Sequence, residues 1–240
     1  MSRLILLFIA GFIGLSLRFI ILGRFEWNQL LLLLCLPIAS VLILFIMKWQ
    51  YNKDRDFKPG AKETNLVTRL GDRVSTTSKQ MYSNKAYIGS YRRIYNSWWK
   101  RIIADIMDHS GQWYLNLSFS LSNGNQIDFK GKQENRIRGN NQWIIYHNDN
   151  EVGTIQTNYS MKNAAKLKES LCLEYDQNTY HFKSFGIGSR TEIHCSDSTV
   201  ATGERVGNSV YQLVMKDPDH KHDAEMLFMV YILFNYVFNQ

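Results

Sequence analysis

The sequence predicts a mainly β protein: a closed antiparallel β-barrel around a buried C-terminal helix, preceded by a two-helix transmembrane hairpin. Three observations lead to this fold class. The last stretch, residues 224–238, is apolar on every side of a helical wheel, many short alternating segments precede it, and two long apolar runs open the chain. A helix that is apolar all round has to be buried all round, and short strands at a regular spacing form sandwiches or barrels. We therefore expect the strands to wrap the terminal helix.

The terminal helix is too short for a typical membrane span. Residues 224–238 read AEMLFMVYILFNYVF, with Asn235 as the main polar interruption. Fifteen residues cover about 22 Å at about 1.5 Å per residue, whereas the hydrocarbon core of a bilayer is roughly 30 Å thick. The length favours a core helix, and a third membrane segment is the alternative.

Two apolar runs at the start of the chain predict the transmembrane hairpin, which we assign to residues 1–48. The runs cover residues 4–22 and 30–47, and each matches the length of a membrane-spanning helix. Because the second run follows the first almost at once, a cleaved signal peptide is disfavoured. Ala10, Gly11 and Gly14 are small enough to let the two helices approach closely.

Basic residues after the second run set the predicted orientation. The chain carries a net charge of +7, and residues 48–110 hold 13 Lys or Arg against six Asp or Glu. By the positive-inside rule, the N-terminus and the C-terminal domain lie in the cytoplasm, with two spans in the cell membrane. A basic excess beside a membrane anchor favours a membrane surface as partner over nucleic acid.

The region that follows the hairpin has the composition of a linker. Residues 49–80 are polar, basic and poor in aromatic residues, with Pro59, Gly60 and a cluster of hydroxyl side chains at 75–78. Such composition is typical of flexible segments. We therefore predict a linker at 49–80 and a folded domain at 81–240.

The domain opens with a strand and an amphipathic helix. Tyrosine and isoleucine alternate at period two over residues 87–94, which indicates a strand. Residues 96–107 place Trp99, Ile102, Ile103 and Ile106 at helical spacing, with charged residues opposite. This helix has two interpretations. Either it packs its apolar stripe on the barrel, or Trp98 and its neighbours rest at the lipid headgroups, as in interfacial helices.

Short strands separated by turn residues fill the rest of the domain. The sequence Asn123-Gly124-Asn125 between two alternating segments is a strong hairpin signal. The break at residues 161–169, rich in Ala and Lys, fits either a helical turn or a polar edge strand. The predicted strands cover residues 112–121, 126–130, 142–147, 151–157, 171–175, 180–185, 190–195, 199–204 and 209–215.

Three clusters invite a chemical interpretation, and each has a structural one. Residues 217–223 combine carboxylates with His220 and His222, but the position before a helix favours capping over a metal site. The glycines at 186 and 188 precede a strand, so a hairpin turn is favoured over a phosphate loop.

The third cluster consists of the two cysteines of the domain and the histidine beside one of them. His194 and Cys195 are neighbours on a strand and point to opposite faces, so they do not form a thiol and base pair. Cys172 and Cys195 are predicted as small core residues, and a disulfide between them stays open as an alternative. Since no catalytic triad, paired catalytic carboxylate or zinc signature is apparent in the sequence, we predict no enzyme activity, no cofactor and no metal.

The strand series and the terminal helix resemble those of the tubby C-terminal-like superfamily, which includes tubby domains, phospholipid scramblases and LURP-one-related proteins. The resemblance covers about 160 residues, and bacterial members with a membrane segment ahead of the domain are nearest in character. It implies about twelve strands around the helix and an affinity for membranes, since tubby domains bind phosphoinositides and scramblases act on phospholipids. The family's lipid and calcium contacts find no matching motif here. The scramblases' membrane segment is C-terminal, whereas here a hairpin comes first.

From these features we expect a non-catalytic, membrane-anchored cytoplasmic module that recognises anionic phospholipid headgroups or a membrane-protein partner. The alternatives are a scramblase-like or transport-associated protein, and an immunity or stress-response interaction protein. The candidate membrane contacts are basic and aromatic residues around the amphipathic helix: Arg92, Arg93, Trp98, Trp99, Lys100 and Arg101.

Overall fold

The computed structural model describes residues 2–60, 65–107, 111–132, 140–158, 168–185, 190–196, 198–207 and 209–238. Its helices are α1 Ser2–Leu22, α2 Trp27–Arg55, α3 Trp98–Ile106 and α4 Ala224–Phe238, with a 3-10 turn at Lys221–Asp223 before α4. Its strands are β1 Leu66–Arg69, β2 Lys79–Ser83, β3 Ala86–Ile94, β4 Asn116–Leu121, β5 Gln126–Gly131, β6 Gln142–His147, β7 Asn150–Thr157, β8 Lys168–Tyr175, β9 Asn178–Phe185, β10 Thr191–Cys195, β11 Ser198–Gly207 and β12 Val210–Met215.

The twelve strands of the described residues form a closed antiparallel barrel, which confirms the predicted fold class. Each strand pairs with its neighbours in sequence, and β1 closes the ring by pairing with both β2 and β12. Closure leaves no strand edge exposed. In this up-and-down arrangement the turns after even-numbered strands lie at one end of the barrel. The connections after odd-numbered strands lie at the other, which we call the hairpin end.

Helix α4 runs through the barrel and is buried on all sides, as the apolar wheel predicts. Its residues from Met226 to Val237 are all buried. The wall accommodates them closely: a Cβ on Gly203 of β11 would lie 2.3 Å from a ring atom of Tyr231. The one buried amide, Asn235, donates to the Tyr231 carbonyl at 2.7 Å. Because it lies inside the barrel, α4 is not a third membrane segment.

Helices α1 and α2 form an antiparallel apolar hairpin whose side chains are mostly exposed. Both are long and apolar enough to cross a membrane. They touch at Gly11, where a Cβ would lie 2.4 Å from Leu33 Cδ1. At the turn, Arg18 forms an ion pair with Glu26 at 2.5 Å.

The prediction that residues 49–80 form a linker is wrong in part, because three elements of the fold extend into this region. Helix α2 continues to Arg55, β1 occupies Leu66–Arg69, and β2 begins at Lys79. All four residues of β1 are buried, including the polar Thr68 and Arg69. Since β1 is short and half polar, it lacks the alternation that reveals a strand in a sequence.

Of the two cysteines predicted as core residues, only one lies in the core. Cys195 belongs to the core, whereas Cys172 does not, because its neighbours Leu171 and Leu173 point inward and Cys172 points out. Both thiols are free. Most of residues 161–169, and the glycines at 186 and 188, lie outside the described residues.

Candidate functional site

The last turn of α2 is fixed to the barrel by one buried carboxylate. Asp54 accepts a hydrogen bond from Arg69 Nη1 at 2.8 Å, and its oxygens also accept the amide N–H groups of Gly71 and Asp72 at 2.8–3.1 Å. Its side chain has no exposed surface. A Cβ on Gly71 would lie 2.8 Å from the Asp54 carboxylate, so only glycine lets the loop approach this closely.

The start of α1 is fixed to α3 in a second joint. The Asp105 carboxylate accepts the Ser2 amide N–H at 2.9 Å and the Ser2 hydroxyl at 2.6 Å, and Arg3 donates to the Ile106 carbonyl. Burial raises the pKa of Asp105, but the hydrogen bonds from Ser2 together with the N-terminal ammonium outweigh it and leave the pKa below its ordinary value. Asp105 is therefore ionised at neutral pH. The two joints place the N-terminal end of α1 and the C-terminal end of α2 at the hairpin end of the barrel.

Helix α3 lies beside the start of α1 with its apolar side chains exposed. Trp98 is 77% exposed, Trp99 42% and Ile102 41%, while Ala104 is the one fully buried residue of the helix. Trp99 contacts Tyr114 edge-on at 5.8 Å, and the Lys100 ammonium lies 5.5 Å from the Tyr114 ring. The helix thus rests on the barrel by a narrow strip and turns much of its apolar surface outward.

The six predicted contact residues differ in their exposure. Arg92 and Arg101 are exposed, as are Trp98 and Trp99, and Lys100 is half-buried. Arg93 is different: its side chain is fully buried, and its guanidinium donates to the carbonyls of Arg73, at 2.6 Å, and Trp113. Burial lowers the pKa of Arg93. The prediction that Arg93 contacts a membrane is wrong, because β3 directs it inward on the same face as Tyr91.

Among the clefts that the described residues form at the hairpin end, two lie along the hairpin itself. The first has a volume of about 800 Å³ between the start of α1 and the end of α3, and its walls are mainly apolar. They include Leu6, Leu7, Ala10, Ile106 and Met107. The second, of about 530 Å³, lies between α2 and the barrel and is more polar. We call the second the joint cleft.

The residues of the joint cleft escaped prediction from the sequence. Arg73 and Arg205 are separated by more than a hundred positions, and no local pattern joins them. The barrel brings them together because β1 closes on β12, next to β11. Arg73 Nη2 donates to the Tyr211 hydroxyl at 2.9 Å, and the Arg205 guanidinium lies 5.9 Å from the ring of the same tyrosine.

At the opposite end of the barrel, the acidic and histidine cluster before α4 is largely engaged internally. Asp223 is buried and accepts a hydrogen bond from the Tyr180 hydroxyl, which also lies 3.0 Å from His220 Nδ1. His222 Nε2 lies 3.3 Å from Asp223. The ligand atoms of Asp176, His222 and Asp223 lie within 4.8 Å of one another. The positive end of the α4 dipole nearby disfavours a cation.

Comparison with protein families accounts for this architecture. The sequence profile of the Tubby C-terminal like domain matches residues 68–237. The chain belongs to the Tubby C-terminal-like family. The match begins within β1 and ends in α4, so it covers the barrel and the helix inside it. Domains of this family are generally non-catalytic binding modules. Comparisons with curated proteins and with solved structures find no significant match.

The matched region leaves the hairpin of this Tubby-like protein outside the family domain. Residues 2–55 hold both apolar helices, and the match begins at residue 68. The two joints at Asp54 and Asp105 are therefore contacts between the matched region, which includes α3, and the helical hairpin that lies outside it. Both clefts lie along this boundary.

Proposed function

We propose that the protein is a membrane-anchored module whose Tubby-like barrel is held at the cytoplasmic face and recognises anionic phospholipid headgroups. Helices α1 and α2 would span the membrane. The single observation that carries the proposal is the position of α3: its exposed tryptophans lie beside the start of an apolar helix of membrane-spanning length.

The geometry of the hairpin supports this arrangement. Helix α2 has 29 residues, about 43 Å at about 1.5 Å per residue, which is enough to cross a hydrocarbon core of roughly 30 Å and still reach the barrel. Lys48, Lys53 and Arg55 follow its apolar part, so the positive-inside rule puts the barrel end in the cytoplasm. At the far turn, Arg18 and Trp27 would lie in the outer interface.

Helix α3 would then rest in the inner interface. Asp105 near its C-terminus binds Ser2 at the start of α1, so α3 would lie at the depth where the proposed hairpin leaves the membrane. Trp98, Trp99 and Ile102 would enter the headgroup region, as amphipathic interfacial helices do. The apolar cleft between α1 and α3 gives acyl chains a matching surface.

The charges next to α3 supply the preference for anionic lipids. Arg92 and Arg101 are exposed, and Lys100 is half-buried near two aromatic rings. A basic residue at an anionic surface contributes about 1 kcal/mol. Salt should weaken this part of the binding, since the screening length falls from about 10 Å at 0.1 M to about 3 Å at 1 M.

The experiment uses the full chain, because a fragment starting at residue 81 would lack β1 and the first residues of β2. The protein is reconstituted into vesicles of brominated phosphatidylcholine, with or without phosphatidylglycerol, and tryptophan quenching is measured. The signal of Trp98 and Trp99 is the difference between wild type and the variant with both changed to Phe. We expect stronger quenching of this pair in anionic vesicles, and less in the Arg92→Gln, Arg101→Gln variant.

The matched control is Lys221→Gln, which removes one exposed positive charge at the opposite end of the barrel. It should leave the quenching unchanged. If the difference signal is absent in both lipids, α3 does not touch the membrane and the proposal fails. The barrel would then serve a protein partner instead.

A further inference from the structure

Three polar residues of β9 and β10 form a patch on the outer face of the barrel. The strand pairing places His181 directly opposite His194. Their neighbours Tyr180 and Ile193 belong to the core, so both imidazoles point outward. Glu192 lies two positions before His194 on the same strand and therefore shares its face. We call His181, Glu192 and His194 the imidazole patch.

The charged pair in the imidazole patch has the spacing of two ligands on one metal ion. His194 Nε2 lies 3.4 Å from Glu192 Oε2. Two ligands that bind zinc at about 2.1 Å and at the tetrahedral angle are about 3.4 Å apart. Directly opposite residues on antiparallel strands have Cβ atoms about 4.5–5.5 Å apart. Rotation of the His181 side chain would therefore bring an imidazole nitrogen to the same ion.

The second nitrogen of His194 already has an oxygen partner. Its Nδ1 lies 3.3 Å from the hydroxyl oxygen of Thr199 on β11. A β-bulge makes this contact, since the pairing of β10 with β11 shifts by one residue between Ile193 and His194. A histidine that binds a metal through one nitrogen almost always donates its other N–H to an oxygen, which fixes the ring and its tautomer. With Nδ1–H directed at Thr199, Nε2 is left to bind a metal.

The charges around the imidazole patch both favour and oppose a cation. Burial, followed by the charges of Lys183 and His194, lowers the pKa of His181 below its ordinary value, so its imidazole is neutral at neutral pH. The neutral imidazole is the form that binds metals. Glu192 adds a carboxylate, whereas Lys183 lies opposite it and repels a cation. All three residues of the patch are partly exposed, so an ion can reach them from solvent.

The donor types indicate which metal the imidazole patch would select. Two imidazoles and one carboxylate are a known zinc ligand set, with the fourth position open to water. Calcium and magnesium prefer oxygen ligands instead. Cys172 lies opposite His181 on the side away from His194. Because neighbouring strands are about 4.8 Å apart, its short side chain does not reach an ion held between the two histidines.

We propose that the imidazole patch binds one Zn²⁺ ion through His181, Glu192 and His194, with water as the fourth ligand. The ion links β9 to β10 and stabilises the folded protein, because the unfolded chain does not hold the ligands together. The sequence shows no zinc signature at this place because strand pairing, and not a local spacing, brings the ligands together. The site is independent of the proposed membrane contact, since it lies on the barrel wall.

The test measures zinc binding to the full-length protein in detergent. The protein is stripped with EDTA, dialysed and titrated with Zn²⁺ in competition with a chromogenic zinc indicator. We expect one Zn²⁺ per chain, and a higher melting temperature with zinc than without it. His181→Gln, Glu192→Gln and His194→Gln should each weaken binding by at least about tenfold. The loss of a group that only orients a ligand already costs about 10–100-fold in metal affinity.

Two further positions test the surroundings of the ligands. Thr199→Val removes the oxygen that orients His194 and should weaken binding about tenfold, whereas Thr199→Ser should retain it. Lys183→Gln removes the positive charge opposite Glu192 and should tighten binding severalfold. A gain in affinity cannot come from a folding defect, so Lys183→Gln keeps the test decisive if a ligand variant is unstable.

Two controls locate the ion. His222→Gln removes the histidine of the cluster that also contains Asp176 and Asp223, and Cys172→Ser removes the thiol beside the imidazole patch. Neither variant should change the zinc affinity. A loss of binding in either control, or unchanged binding in His194→Gln, would overturn this ligand set. The absence of stoichiometric zinc binding by the wild type would overturn the proposal as a whole.

Discussion

Asp54 in the last turn of α2 and Arg69 at the end of β1 form an ion pair of 2.8 Å in which the carboxylate is completely buried and the guanidinium nearly so. The same carboxylate accepts two backbone amides from the loop that follows β1. A contact of this kind fixes direction as well as distance, because three donors from three residues converge on one group and form four hydrogen bonds with it. The barrel is therefore held to the hairpin in one orientation.

Removing the Asp54 carboxylate should destabilise this joint strongly. In Asp54→Ala, Arg69 Nη1 and two amide groups lose their acceptor inside the protein, while Arg69 Nη2 keeps its hydrogen bond to Gln50 Oε1. The loss of one partner of a buried pair costs about 3–5 kcal/mol. We expect a lower melting temperature in detergent and faster amide exchange over residues 69–72. Asp56→Ala breaks the exposed pair with Arg55 and is the control. Equal melting temperatures for the two variants would contradict this role for Asp54.

The fit of α4 inside the barrel should depend on Gly203. A Cβ at this position overlaps the Tyr231 ring, with contacts of 2.3–2.9 Å, and overpacking of a core costs about 1–3 kcal/mol. Gly203→Ala should therefore lower the melting temperature. Gly207→Ala lies on the same strand, where a Cβ meets nothing within 4 Å. If the two alanine variants have the same melting temperature, Tyr231 can move aside without a loss of stability and the packing argument fails.

Neighbouring arginines on β3 should have opposite phenotypes. Arg93→Gln removes a buried guanidinium that binds the carbonyls of Arg73 and Trp113, and we expect a loss of about 2–4 kcal/mol in the free energy of unfolding. Arg92→Gln should leave the stability unchanged, because Arg92 is exposed. In the vesicle experiment we expect the reverse order: Arg92→Gln should reduce the quenching of Trp98 and Trp99 more than Arg93→Gln does. A stability loss in Arg92→Gln would contradict this assignment.

Most of the fold could be predicted from the sequence, because the strongest signals in the sequence are local patterns. Helix α4 has the predicted bounds, and β6 coincides with the predicted strand at 142–147. Alternation and helical periodicity need only a few neighbouring residues to be visible. By contrast β1 is four buried residues, two of them polar, and its place is set by its pairing with β12. Such pairing leaves no trace in the local pattern.

The candidate site was accessible to sequence reasoning only in part. The amphipathic pattern revealed α3 and its tryptophans. Arg93 was misassigned although a signal existed, since it shares the period-two face of Tyr91, which is a core residue. Two further pairs form only in the folded protein. Asp54 meets Arg69 because α2 docks on the barrel, and Arg73 lies near Arg205 because β1 pairs with β12, next to β11. Their chemistry depends on distance in space, which no spacing in this sequence encodes.

The stability of the barrel should fall in mild acid because of His181. Burial, followed by the nearby charges of Lys183 and His194, lowers the pKa of this imidazole below its ordinary value of 6.5. The unfolded chain therefore takes up the proton at a higher pH than the folded protein, so stability present above about pH 6.5 is lost as the pH falls toward the folded pKa. His181→Gln cannot titrate and should lose less stability between pH 8 and pH 5. Melting curves of both proteins at the two pH values measure this difference, and the pH 8 values isolate any effect of the substitution on packing. Equal losses in both proteins would mean that other groups cause the acid sensitivity.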